Sequence, residues 1–126
     1  MKKIIKTPNA PAPIGPYNQA VLTGNTLYTS GQIAIDVATG NLVMETLELE
    51  TKKVMENLKA VLEAADMTFE NVVKTSIFIS DMNNFSRINA IYGNYFNAET
   101  APARETVEVA NLPKFVNVEI SAIAIK

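Results

Sequence analysis

The end of the chain constrains its fold more than any other stretch. Val116, Val118, Ile120, Ala122 and Ala124 alternate with Phe115, Asn117, Glu119, Ser121, Ile123 and Ile125. A period of two is the mark of a strand with one apolar face. The second face is mixed, setting Glu119 among large apolar groups. Glu105 to Ala110 also alternates, with Val107 and Val109 on one face, and Asn111-Leu112-Pro113-Lys114 between the two runs reads as a turn. If the runs form a hairpin, their inner faces must coincide. The register that achieves this sets Val107 against Val118 and Val109 against Val116, and so Thr106 against Glu119. Opposed residues lie about 4.5–5.5 Å apart at Cβ. Arg104 shares the face of Thr106, two residues on. The pattern therefore predicts that Arg104, Thr106 and Glu119 converge.

Upstream the period changes. Between Thr46 and Ala65, Leu47, Val54, Leu58, Val61, Leu62 and Ala65 form one helical stripe, with Lys52, Lys53, Glu56, Lys59 and Glu63 largely opposite. Thr46 suits the N-cap, Glu48 the positive end of the helix dipole, and Asp66 a left-handed stop. Val72 to Ser80 is a β-branched run and predicts a strand. Asn83 or Asn84 then caps a second helix with apolar positions Phe85, Ile88, Tyr92 and Tyr95. Nearer the start, Asn9 to Pro16 reads as an extended loop. Tyr17 to Leu22 and Thr26 to Ser30 flank the hairpin signal Gly24-Asn25.

No linker or repeat interrupts residues 1–126, so the expectation is one α+β domain. Two amphipathic helices cover one face of such a sheet. The other face keeps Ile33, Ile35, Ile123 and Ile125, and apolar surface of that extent marks an interface between copies.

The residue inventory narrows the chemistry. The chain has no Cys and no His. Thiolate nucleophiles, Cys- or His-ligated metals and Ser-His triads are excluded within it. Carboxylates, hydroxyls, Arg, Lys, backbone groups and water remain. A net charge of −2 with scattered lysines gives nucleic-acid phosphates no basic stripe. No apolar run is long enough to span a membrane, and the start lacks the apolar core of a signal peptide. The expected compartment is the cytoplasm.

Each candidate site residue has two readings. Arg104, after Ala101-Pro102-Ala103, is a surface partner of Glu105 or Glu108, or a planar fork that clamps a carboxylate. Glu119, mid-strand among β-branched residues, is the partner of Arg104 in a salt bridge, or an acid/base group tuned by its surroundings. Thr106 is a structural strand residue or supplies a hydroxyl or N–H to a ligand. Ser30-Gly31 is a strand end, or a place where Gly31 lets a ligand approach the backbone. Tyr17 packs or orients a ligand. Asn89, between Ile88 and Ile91, is solvated, clamps helix to loop, or serves the site.

Several motifs together resemble the Rid (reactive intermediate deaminase, YjgF-like) family. They are Ala12-Pro13-Ile14-Gly15-Pro16-Tyr17, Thr29-Ser30-Gly31-Gln32-Ile33, Val73-Lys74-Thr75, Asn89-Ala90-Ile91-Tyr92, Pro102-Ala103-Arg104, Val107-Glu108-Val109-Ala110-Asn111-Leu112-Pro113 and Val118-Glu119-Ile120-Ser121-Ala122-Ile123-Ala124. The resemblance runs the whole length. It implies a chorismate-mutase-like mixed sheet with two helices on one face, and a homotrimer whose bare sheet faces close a central barrel with clefts between subunits. It implies hydrolysis of 2-iminopropanoate and 2-iminobutanoate to 2-oxo acids and ammonia, with no metal or cofactor. Those imines are products of pyridoxal-phosphate enzymes acting on serine and threonine. By position, Arg104 is then the carboxylate holder, helped by backbone near Gly31 and Thr106. Glu119 positions or activates water, Tyr17 closes the cleft, and Asn89 supports the site. Many members carry Cys where this chain has Thr106, so the implied chemistry here needs no Cys nucleophile. Glu105 and Ala101 are less typical neighbours of the arginine. Competing functions are a non-catalytic binder or sensor of small carboxylic acids, an RNA-directed translation inhibitor, and a chaperone acting through apolar surface.

Overall fold

In a computed structural model describing residues 1–126, six strands form one sheet, in the order β1-β2-β3-β6-β4-β5. The strands are β1 (Lys2–Ile5), β2 (Ala20–Thr23), β3 (Thr26–Thr29), β4 (Val72–Ile79), β5 (Ala103–Glu108) and β6 (Val118–Ile125). The helices are α1 (Leu47–Ala64) and α2 (Phe85–Tyr92). All neighbouring strands are antiparallel except β4 and β5.

The helix starts and stops follow local chemistry. The Thr46 hydroxyl accepts from the Leu49 N–H at 3.0 Å, and Asp66 takes a left-handed φ of 58° just past α1. The stripe buries Val54, Leu58, Val61 and Leu62 completely, against Leu27, Ile77, Ile79, Val118 and Ile120 of the sheet. Full burial of each such side chain contributes about 1.5–3 kcal/mol. The start of α2 differs from expectation. Asn84 holds the cap position without a side-chain bond, and Asp81 does the capping, its carboxylate accepting from the Asn83 N–H at 2.9 Å in the preceding turn. The edge strand β1, pairing Ile4 with Val21, has too short an alternating run to be read from its pattern.

The expected hairpin between the last two strands does not form. Both β5 and β6 pair with β4, which lies between them. Alternation fixes the two faces of each strand but not its neighbour, and the stretch from Val109 to Asn117 is long enough to step across the end of β4. Val109 N–H donates to Ile79 C=O at 2.9 Å on one side of that step, and Ser80 N–H to Asn117 C=O at 3.1 Å on the other. Lys114 and Phe115 turn it with φ of 55° and 56°. Directly paired residues share a face, so Arg104, Thr75 and Ala122 stand on the helix-covered side, as do Thr106, Ile77 and Ile120. Glu119 stands with Phe78 and Val107 on the other. The predicted meeting of Arg104 and Thr106 with Glu119 is therefore absent within one chain. The bare face does carry apolar groups: Tyr28, Val107 and Ile125 are exposed, and Ile123 is half-buried.

Candidate functional site

The candidate residues fall into two groups. The first surrounds Glu119. Gln32 and Ile120 exchange two backbone hydrogen bonds, Gln32 N–H to Ile120 C=O at 2.8 Å and Ile120 N–H to Gln32 C=O at 3.1 Å. This lays the backbone of Gly31 against the Glu119 side chain so closely that a Cβ on Gly31 would sit 2.7 Å from the Glu119 Cδ and Oε2. Only glycine leaves the Glu119 carboxyl room to lie in this position. Glu119 and Gly31 share a cavity of about 370 Å³ with Tyr17, Ile33, Ile35 and Lys114. Glu119 has no ion-pair partner in the chain, and burial pushes its carboxyl above the usual carboxylate range. The Tyr17 ring is half exposed, and its hydroxyl accepts from the Ile14 N–H at 3.4 Å. Ser30 is adjacent but committed elsewhere: its hydroxyl donates to Asn18 C=O at 2.5 Å and its N–H to Gln19 C=O at 2.9 Å.

Three polar residues that the pattern did not single out hold this cavity. Buried Gln19 donates from Nε2 to the carbonyls of Thr7, Ala10 and Pro11 at 2.9–3.1 Å and accepts from Thr7 N–H at 2.8 Å. It thereby fixes the Pro-rich loop that carries Ile14 and Tyr17. Asn57 of α1 donates to the carbonyls of Ile33 at 3.0 Å and Ile35 at 2.9 Å. Three residues after Val54 and four before Val61, Asn57 interrupts the apolar stripe, and that was its one signal in the sequence. Glu50, fully buried, accepts from both the backbone and the side-chain N–H of Asn117 at 2.8 Å, which anchors the step carrying Lys114.

The second group surrounds Arg104 on the edge strand β5. The guanidinium donates from Nη1 to Asn89 Oδ1 at 2.6 Å. Its Cζ lies 5.1 Å from the centroid of the Tyr92 ring and 5.4 Å from that of Phe85. No carboxylate pairs with it. Glu105 is held by Lys74 at 2.7 Å and by the Ser76 hydroxyl, and Glu108 accepts from Met82 N–H at 2.7 Å. The other arginine, Arg87, has a bidentate partner in Glu48, both bonds at 2.7 Å. Asn89 therefore ties α2 to β5 through Arg104. Two residues along, the Thr106 hydroxyl is buried and lacks any partner, alone among buried side-chain polar atoms.

The two groups offer complementary chemistry. Arg104 is a half-used guanidinium that accepts a planar anion in the geometry of its fork. Glu119 is an unpaired carboxyl beside a cavity, suited to proton transfer. No group of three or more acidic side chains converges to hold a metal ion, and no helix is long and apolar enough to cross a membrane.

Comparison with known proteins extends this picture. A family model described as Endoribonuclease L-PSP matches residues 7–126. A RutC family protein of Synechocystis is 54% identical over 98% of this chain and 95% of its own length. A 2-iminobutanoate/2-iminopropanoate deaminase of Salmonella typhimurium is 47% identical over 100% of this chain and 99% of its own. The crystal structure of a Yersinia pestis protein, described as of unknown function and of the conserved Rid protein family, superposes with a TM-score of 0.96 at 48% identity, covering 100% of both chains.

Proposed function

This chain belongs to the endoribonuclease L-PSP family, also called YjgF/Rid, and from that premise we propose that it hydrolyses small 2-imino acids, 2-iminopropanoate and 2-iminobutanoate, to the 2-oxo acids and ammonia. The observation that carries this reading is the state of Arg104: seated on two aromatic rings, fixed by Asn89 and left without an acidic partner. A guanidinium so held is prepared for a carboxylate that arrives with the substrate. Relatives named as deaminases of these two imines, 45–47% identical over the whole chain, support the choice of substrate.

The working site is proposed to form between copies of a homotrimer in the cytoplasm. Arg104, Asn89 and Thr106 of one copy meet Tyr17, Gly31 and Glu119 of the next. The opposite placement of Arg104 and Glu119 on one sheet motivates this arrangement, as does the apolar character of the bare face. Arg104 takes the substrate carboxylate. The protonated imine carbon is already electrophilic. Glu119 removes a proton from water as its oxygen bonds to that carbon, and the C=N electron pair moves to nitrogen. The proton then passes to the amine of the tetrahedral intermediate. Glu119 then takes the remaining hydroxyl proton as that oxygen forms the carbonyl, the C–N bond breaks and ammonia leaves. Positioning supplies most of what such a reaction needs, since effective molarity from orientation reaches about 10⁵ M or more. Thr106, with its unpartnered hydroxyl, lines the carboxylate end. The chain's own residues complete this scheme without a metal or cofactor.

The charge of the chain speaks against RNA as its ligand, although the family model is described as an endoribonuclease. With a net charge of −2 and no basic stripe, the surface gives RNA phosphates little to displace their counterions. The test is a coupled assay in which a pyridoxal-phosphate dehydratase generates the imine and semicarbazide traps what survives. The protein should speed imine loss, and Arg104→Ala should not. No acceleration by wild-type protein would move the reading to a non-catalytic binder of small carboxylic acids.

A further inference from the structure

The seat of Arg104 is itself built on a buried bond. Tyr92 is 5% exposed, and its hydroxyl meets the hydroxyl of fully buried Thr75 at 2.8 Å. Thr75 is the residue of β4 directly paired with Arg104 of β5. The chain from strand to helix thus closes on itself: Arg104 to its sheet neighbour Thr75, Thr75 to Tyr92 on α2, and the face of Tyr92 back to the Arg104 guanidinium. Asn89, three residues before Tyr92 and so on the same side of the helix, holds the Nη1 edge. A guanidinium on a ring face keeps its N–H edges free, because the attraction is to the face and uses no donor. The direction in which that free edge points is then set by the plane of the ring.

We propose that Tyr92 is the positioning residue for carboxylate recognition: its ring sets the plane of the Arg104 fork, and the Thr75 hydroxyl pins that ring. Phe85 supplies a second face, with no polar handle and therefore no pin. The proposal rests on the reading of Arg104 as the carboxylate holder. Burial pushes the Tyr92 phenol up, so it stays protonated and hydrogen-bonded across the working pH range.

The clamp acts on a carboxylate that is the same in substrate and transition state, so loosening it removes uniform binding and appears in KM more than in kcat. Tyr92→Leu, which loses ring and pin, should raise KM about tenfold with kcat within about twofold, in the range expected for one cation–π contact. Tyr92→Phe and Thr75→Val, which lose only the pin, should shift KM in the same direction by less. Their double variant should be no worse than the poorer single one, because both act through one bond. A merely structural role would lower the melting temperature and the active fraction without moving KM.

A second readout does not depend on turnover. The chain has two arginines, so the side-chain Nε–H NMR signal of Arg104 is identified by its persistence in Arg87→Lys. In the wild-type protein it should be displaced by ring currents and shift further on titration with pyruvate. In Tyr92→Leu the displacement should be lost and the pyruvate response weakened. If Tyr92→Leu does not fold, Thr75→Val and Tyr92→Phe decide the matter by the same two readouts. An unmoved Nε–H signal with unchanged KM and pyruvate affinity in the pin variants and in any folded Tyr92→Leu protein overturns the proposal. Wild-type protein that binds pyruvate but turns over no imine overturns the hydrolytic reading alone. The Nε–H comparison then still decides whether Tyr92 aims the fork.

Discussion

Arg104 and Glu119 leave one sheet on opposite faces, Arg104 beside Thr75 under the helices and Glu119 beside Phe78 on the bare side. Neither has an ionic partner in its own chain. Each stands beside a cavity, and the proposed site between copies would bring the two together.

The contrast between the two arginines yields the first prediction. Arg87 is exposed and spends its fork on Glu48, holding that carboxyl down at about 2. Such exposed pairs are screened by solvent and contribute little. Arg87→Ala should leave imine hydrolysis within about twofold of wild type, whereas Arg104→Ala should lower kcat/KM at least about a hundredfold, as loss of a bidentate charged pair requires. Arg104→Lys should recover little, because an ammonium lacks the planar fork. Steady-state kinetics on the three variants decide this, and equal losses at positions 87 and 104 would remove the special role given to Arg104.

Gly31 tests the Glu119 half. A methyl group there would press on the far end of a flexible side chain, 2.7 Å from the carboxylate, so the fold yields cheaply and the carboxylate moves. Gly31→Ala should change the urea midpoint little while reducing kcat at least about tenfold, in keeping with the cost of a displaced catalytic group. A variant with normal kcat would show that the position of Glu119 does not matter to turnover.

The raised pKa of Glu119 predicts two pH effects. As a base it works deprotonated, so the acid limb of kcat/KM should lie above the ordinary carboxylate range, and Glu119→Gln should keep ligand affinity and lose turnover. Stability runs the other way. A carboxyl with a raised folded pKa binds its proton more tightly in the folded chain, so stability falls as pH rises from the ordinary value through the raised one. Glu119→Gln removes that fall. Melting curves of the two proteins should coincide below this window, with the variant more stable above it; the opposite order at neutral pH would mean that Glu119 has a compensating partner.

Glu50 bears on stability. Fully buried, it accepts two bonds from Asn117 and so holds the step that carries two left-handed residues, Lys114 and Phe115. A buried donor left without its partner costs about 1–3 kcal/mol. Glu50→Ala should therefore destabilise the protein by about 3 kcal/mol or more in urea unfolding, with the loss reported first by amide exchange at Asn117. A loss below about 1 kcal/mol would show that the step holds itself.

What the sequence made legible were the features set by local periodicity. Helix α1 with Thr46 and Asp66 at its ends, the strand from Val72 and the turn at Gly24 all follow from short-range rules. Glu119 stood out because a charge mid-strand among β-branched residues is unusual, and Arg104 because alternation set it on the face of Thr106. The order of strands did not emerge, because alternation in β5 and β6 is satisfied equally by direct pairing or by pairing through β4. That ambiguity turned Arg104 and Thr106 onto the wrong side relative to Glu119. Gln19 and Glu50 escaped notice for a related reason. Their partners lie 8–12 and 67 residues away, beyond any local pattern.

The most direct test of the account mixes two dead proteins. Arg104→Ala and Glu119→Gln are each expected to be inactive in the coupled imine assay. After equal amounts are dissociated and reassembled together, a ring of three with clefts between neighbours contains some clefts with both residues intact, about a quarter of the total by random assortment. Roughly that fraction of wild-type activity should return. No recovery, with mixed assemblies shown to form, would contradict a site that takes Arg104 from one copy and Glu119 from the next.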